Sequence, residues 1–210
     1  MSFMSSCFSS IVDCFNGGDW NMGNVAQSAK SSHPPAAGYQ PIPDVILDTT
    51  TMGQEAVVVK NGSRLCGTGS VRASTPISQS KAYWEVQVQQ SGQWSCGVCT
   101  PSCDLNKSLG NDQNSWVIDS DNHIRSKNEV EYTLEHPVQE GDILGFTYDH
   151  VEFNFYLNGN NLNCPILGIK GTVFPVLYVD DGAVLDAIFE KFRYPIPSGF
   201  DRIMVEKVLL

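Results

Sequence analysis

Cations are scarce in this 210-residue sequence: 13 Lys and Arg stand against 23 Asp and Glu, a formal net charge of −10. Phosphate backbones are held by clustered Lys and Arg, so this balance argues against nucleic acid and favours basic or neutral partners. Long apolar runs are lacking too. No stretch of about 18 apolar residues occurs, so no segment reads as a membrane-spanning helix. The N-terminus has no basic region of the secretory kind, its first cation being Lys30, and the seven cysteines are odd in number. Both features predict a reducing, cytoplasmic setting, in which the sequons at Asn61 and Asn106 stay unglycosylated.

The signatures of common chemistries are also missing. Cys96, Cys99 and Cys103 begin with CxxC spacing, yet residues three apart on a strand face opposite sides, and no second CxxC or His pair completes four zinc ligands. Small buried thiols are the expectation. Asp119-Ser120-Asp121-Asn122-His123 resembles the start of a calcium loop, but Ile124 and Val130 stand where an EF-hand needs Gly and Glu, which leaves a hairpin turn. Four histidines, His33, His123, His136 and His150, accompany no GxSxG elbow, leaving only a triad assembled from distant residues. Gly67-Thr68-Gly69 lacks the third glycine and the following helix of a nucleotide fingerprint. No catalytic residue, metal ligand or cofactor is assigned.

What the chain does contain is β-type patterning. Residues 141–159, GDILGFTYDHVEFNFYLNG, read as two apolar strands around Asp149 and His150, ending in Asn158-Gly159. In the second arm Val151, Phe153, Phe155 and Leu157 share one face, and Glu152, Asn154 and Tyr156 the other. A hairpin with one apolar face needs a second layer over it, which predicts an all-β core. Further candidate strands recur from Asp44 onward, among them 44–48, 63–72, 82–89, 94–100, 115–119, 173–180 and 202–208. With 41% hydrophobic residues, a β-sandwich over 44–210 can bury a real core.

Residues 2–16 follow a helical period instead. Phe3, Met4, Cys7, Phe8, Ile11, Val12, Cys14 and Phe15 fall on one half of the wheel, and the serines with Asp13 on the other. Three destinations stay open for this apolar face in segment 1–16: the domain itself, a groove on a partner, or a membrane interface with Cys7 and Cys14 as palmitate acceptors. Residues 17–43, rich in Gly, Ser, Ala and Pro, read as a flexible linker.

Several motifs appear in one order: Lys81-Ala82-Tyr83-Trp84-Glu85-Val86-Gln87-Val88, Gly92-Gln93-Trp94-Ser95-Cys96-Gly97-Val98, Leu109-Gly110 with Ser115-Trp116, the 141–159 hairpin, Val173-Phe174-Pro175-Val176, and Pro197-Ser198-Gly199-Phe200. In that order, from about Asp44 to Phe200, they resemble the SPRY domain family. The resemblance implies a bent β-sandwich of two antiparallel sheets, a non-enzymatic role in protein recognition, and loops at one end as the binding surface. Carried onto this chain, the family's peptide-binding positions are Asn61, Ser63, Arg64 and Leu65; Thr100, Leu105 and Asn106; and Val179, Asp180 and Asp181. Where one group of the family has Val-Trp-Gly, this chain has Val179-Asp180-Asp181-Gly182. Two adjacent carboxylates would favour a basic segment in a protein or peptide partner, and are equally consistent with a solvated acidic turn. The chain is read as a monomer that supplies binding without an effector domain, as no RING finger, SOCS box or heptad repeat is found.

Overall fold

The computed structural model describes residues 45–205, in which every regular element is a strand. The segments 1–16 and 17–43, with Cys7 and Cys14, lie outside the described residues. In chain order the strands are β1 (Leu47–Met52), β2 (Glu55–Val59), β3 (Arg64–Ala73), β4 (Ala82–Gln90), β5 (Gln93–Cys99), β6 (Ser115–Asp119), β7 (His123–Ser126), β8 (Glu129–Thr133), β9 (Ile143–Tyr148), β10 (Glu152–Leu157), β11 (Asn160–Asn161), β12 (Ile166–Leu167), β13 (Phe174–Asp180), β14 (Val184–Ile188) and β15 (Asp201–Arg202).

They form one curled sheet in the order β11-β10-β9-β4-β14-β3-β13-β5-β6-β7-β8. Pairings are antiparallel except where Asp201 and Arg202 run parallel to Ala82 and Tyr83. The curl turns on β3. Its first residues pair with β14, Arg64 opposite Asp186 and Leu65 opposite Leu185, whereas Gly69 to Arg72 pair with Val179 to Val176 of β13. Between them Gly67 and Gly69 take φ of 86° and 128°, and a Cβ on Gly67 would come 2.4 Å from the Glu55 carbonyl oxygen. Only glycine fits that corner. It divides the structure into two layers: β13, β5, β6, β7 and β8 with the end of β3, and β14, β4, β9 and β10 with its start.

Aromatic side chains fill the space between the layers. Trp84, Phe146 and Phe153 stack with centroids 5.3–5.9 Å apart, and Phe155 meets Phe146 edge-on at 5.8 Å. All four are 0% exposed, and burial of each ring contributes about 1.5–3 kcal/mol. The hairpin is present, with Phe153 opposite Tyr148 and Phe155 opposite Phe146. Its expected apolar face is shorter than alternation suggests. Phe153 and Phe155 are buried and Leu157 half-buried, but Val151 is 67% exposed. Val151 sits in the turn, where the Asp149 carboxylate accepts from the Val151 and Glu152 amides.

The strands differ from the sequence expectation in several places. The first covers Leu47–Met52 rather than 44–48; β8, β11 and β12 were not expected, and β8 pairs at the sheet edge with every residue exposed; 202–208 contributes only to β15 within the described residues.

Two buried carboxylates fasten the second layer. Glu85, 0% exposed, accepts from the Tyr83 hydroxyl at 2.8 Å and from the backbone amides of Arg193 and Tyr194 at 2.7 and 3.0 Å. Asp186, 4% exposed, accepts from Lys60 Nζ at 2.8 Å and from Arg64 Nε and Nη2 at 2.6 and 2.9 Å. Each carboxylate meets enough donors to offset the loss of water.

Candidate functional site

Period-two alternation decides which side chains leave the core. On β5, Trp94, Cys96 and Val98 join the main core, and on β13 Leu177 and Val179 do the same. Their neighbours must therefore point to the other side of the first layer. Register assembles those neighbours into rows across the sheet. Asp180 stands opposite Gln93; Ser70, Tyr178, Ser95 and Asp119 follow one another across β3, β13, β5 and β6; Val176, Gly97, Val117 and Arg125 form the next row. Cys96 and Cys99 consequently belong to opposite faces, Cys96 in the main core and Cys99 in a small outer cluster.

Part of this outer face is roofed by residues 100–114. Leu105 and Cys103 pack on the outer cluster of Cys99, Leu109, Val117, Val176 and Tyr178. The Ser70 amide donates to the Leu105 carbonyl at 2.8 Å, the Gln54 amide to Asn106 Oδ1 at 2.9 Å, and the Gly110 amide to Ser115 Oγ at 2.7 Å. Beside the roof, Tyr178, Ser95 and Asp119 form the largely buried floor of a cleft of about 190 Å³. Ser108, Leu109 and Asn111 border it, as do Gln93, Asp121 and Arg125.

The cleft's rim is held by turns. The Ala183 amide donates to the Asp180 carbonyl at 3.0 Å across Asp181 and Gly182, whose φ of 48° and 78° are those of a primed turn. The turn before β5 packs against it so closely that a Cβ on Gly92 (φ 149°) would lie 2.5 Å from both the Ala183 nitrogen and the Asp181 carbonyl oxygen. On the other side, Asp119 Oδ1 accepts from the Asp121 and His123 amides at 3.0 and 2.9 Å, which shapes the β6–β7 turn.

Charge in the cleft is unbalanced. Two carboxylates, Asp119 and Asp121, line it with one guanidinium, whose Arg125 Nε already donates to Asp119 Oδ2 at 2.5 Å, and Asp180 and Asp181 stand next to it on the turn after β13. Asp180 accepts from the Thr68 hydroxyl at 3.0 Å and the Tyr178 hydroxyl at 3.3 Å, both uncharged donors. Asp121, Asp180 and Asp181 form no ion pair among the described residues. Burial, and then the Asp180 charge, hold the Tyr178 hydroxyl above its ordinary pKa, so it remains a donor at neutral pH. Ser95 Oγ, buried between Tyr178 and Asp119, has no hydrogen-bond partner within the described residues. Asp119, Asp121 and His123 place ligand atoms within 4.8 Å of one another, but both Asp119 oxygens are engaged by Arg125 and the turn amides.

The positions expected from sequence separate into three groups. Leu105, Asn106, Asp180 and Asp181 belong to the roof and rim: Leu105 bonds to Ser70 beside Tyr178, and Asp180 bonds to Thr68. Thr100 lies at the far end of β5, its hydroxyl on Asn114 Oδ1 at 3.1 Å. Asn61, Ser63, Arg64 and Leu65 stand across the β3 corner in the second layer, and Arg64 is engaged by Asp186. Leu65 and Val179 are 0% exposed, so their side chains pack in the core and are not presented to a partner. Tyr178, Ser95, Gln93, Asp119, Asp121 and Arg125 were not foreseen. The signal for three of them is alternation itself, since Tyr178 precedes buried Val179, and Gln93 and Ser95 flank buried Trp94.

Residues 81–192 match the SPRY domain. SPRY domain-containing protein 7 of Mus musculus is 48% identical over 169 residues, covering 79% of this chain and 86% of that protein. The Gallus gallus protein of the same name is 47% identical over 177 residues, covering 81% and 90%. Among solved structures, the TRIM65 PSpry domain aligns with a TM-score of 0.57 at 14% identity, over 69% of this chain and 89% of that one. The SPRY domain of human HERC1 aligns with a TM-score of 0.54 at 19% identity, over 67% and 96%. At those identities the two structures speak for the fold alone. The extent and identity of the sequence matches show that this chain belongs to the SPRY domain family, whose members typically serve as protein-interaction modules and are generally non-enzymatic.

Proposed function

We propose that the chain is a non-enzymatic binding module that captures a basic segment of a protein partner in the cleft over Tyr178, Ser95 and Asp119. The observation that carries this reading is the cleft on the outer face, lined by Asp119 and Asp121 and next to an Asp180 carboxylate that meets only uncharged donors. Size separates this from a small-molecule site. Pockets for drug-sized ligands run to about 300–1,000 Å³, whereas about 190 Å³ suits one anchoring side chain. A Lys or Arg has the reach to lay its apolar stem in the cleft beside Leu109 and Tyr178 and to donate to Asp121 at its edge.

An array of random octapeptides probed with the full chain tests this. Lys- and Arg-containing peptides should be retained, with signal that falls as salt rises. Retention of acidic and neutral peptides to the same extent would end the proposal. The Asp180→Asn/Asp181→Asn pair is the better charge probe than lysine replacements, because asparagine keeps the positive-φ turn and its hydrogen bonds.

A further inference from the structure

We propose that Cys99 and Cys103 form a peroxide-responsive dithiol whose disulfide tethers the 100–114 roof to β5. The inference does not depend on what the cleft binds. Cys99 ends β5 on the outer face and is 0% exposed; Cys103 is half-buried and reaches the surface of the roof. Between them the chain reverses, with the Cys103 amide donating to the Thr100 carbonyl at 3.2 Å. That reversal folds Cys103 back onto the small outer cluster that contains Cys99, with the two thiols near enough to influence each other's titration. Thiols packed in one cluster on either side of a single turn need little backbone movement to join, whereas cysteines set farther apart need more.

The surroundings divide the labour between the two thiols. The Cys99 hydrogen bond holds the Cys103 thiol below its ordinary pKa, with help from the Ser115 hydroxyl and the Arg72 charge and against burial and the Asp112 charge. The same contact, together with burial, holds Cys99 protonated. Cys103, the member of the pair that reaches the surface, is therefore the attacking thiolate, and the buried Cys99 the resolving thiol. In the first step the Cys103 thiolate attacks a peroxide oxygen and the O–O bond breaks, giving sulfenic acid and hydroxide or alkoxide, which takes up a proton. In the second, the Cys99 sulfur displaces the sulfenic hydroxyl, forming the S–S bond and releasing water. With hydrogen peroxide, two thiols are oxidised, one peroxide is reduced, and two waters leave.

Cys96 and Cys164 lack this arrangement. Cys96 lies on the opposite face, and the Cys164 thiol donates to the Leu162 carbonyl. Cys96 also supplies an internal reference, since the tryptic peptide from Ala82 to Lys107 contains all three of Cys96, Cys99 and Cys103.

The test treats the full chain with hydrogen peroxide, blocks remaining thiols with iodoacetamide, and maps tryptic peptides by mass spectrometry. The peptide from Ala82 to Lys107 should lose two hydrogens and carry a single carbamidomethyl group, on Cys96. Dithiothreitol should restore three alkylatable thiols. Hydrogen exchange across 100–114 should slow in the oxidised protein. Cys103→Ser should abolish the bridge, and Cys164→Ser should leave it unchanged. Cys103 passing to sulfinic acid while Cys99 is still alkylated overturns the proposal, as does a bridge that engages Cys96. Both outcomes are read on the unmodified sequence, so they do not depend on how a variant folds.

Discussion

Asp180 and Asp186 are six residues apart, on consecutive strands, yet they occupy opposite electrostatic situations. Asp186 is almost fully buried and meets two cations, Lys60 and Arg64. Asp180 stands at the end of β13 and meets only hydroxyls and its neighbour's amide. A carboxylate neutralised inside the fold has its role in holding the layers together. One left without a cation beside an open cleft retains an attraction that a partner can satisfy.

The comparison breaks most visibly at Asp186. Asp186→Ala leaves the mostly buried Arg64 side chain without its carboxylate and should lower stability by about 3–5 kcal/mol, read from the urea midpoint. The folded fraction should retain basic peptides as before; a parallel loss of retention would mean the two carboxylates are not functionally separate. At the cleft the effects should invert. Asp180→Asn/Asp181→Asn should reduce basic-peptide affinity about tenfold, or ~1.4 kcal/mol, while the urea midpoint moves little. A midpoint shift without an affinity change would assign the pair to the turn alone. The smallest effect is expected at Lys60, whose side chain is 58% exposed: Lys60→Ala should cost at most about 1 kcal/mol. A larger cost would show that both cations, not Arg64 alone, are needed to keep Asp186 buried.

Much of the platform was legible in the sequence because burial imposes a period of two. Phe153 and Phe155 lie on the face that alternation predicts, and the hairpin turns at Asp149 and His150. Val151 escaped because alternation carries no information about where a strand starts; the Asp149 turn decides that. β8 escaped for the opposite reason, as a wholly exposed edge strand has no apolar face to display. The site was less legible than the fold. Asp180 and Asp181 were visible as adjacent charges, but Tyr178, Ser95 and Asp119 converge only because β13 pairs with β5 and β6 follows beside it, and β13 lies far from both in sequence. Leu65 and Val179 show the converse: a position aligned with a binding loop can still face the core. Gly67-Thr68-Gly69 looked featureless as a nucleotide motif because its function is geometric.

That glycine corner also governs when the domain can form during translation. β3 pairs with β1 and β2, made just before or beside it, and with β13 and β14, which end at Ile188. The strand that joins both layers therefore waits, with two of its four partner strands missing, until nearly the whole domain has left the ribosome. Vectorial folding from the N-terminus is closed to this topology. Nascent chains stalled before residue 174 should remain open to protease along β3, and protection should arrive in one late step once β14 is available.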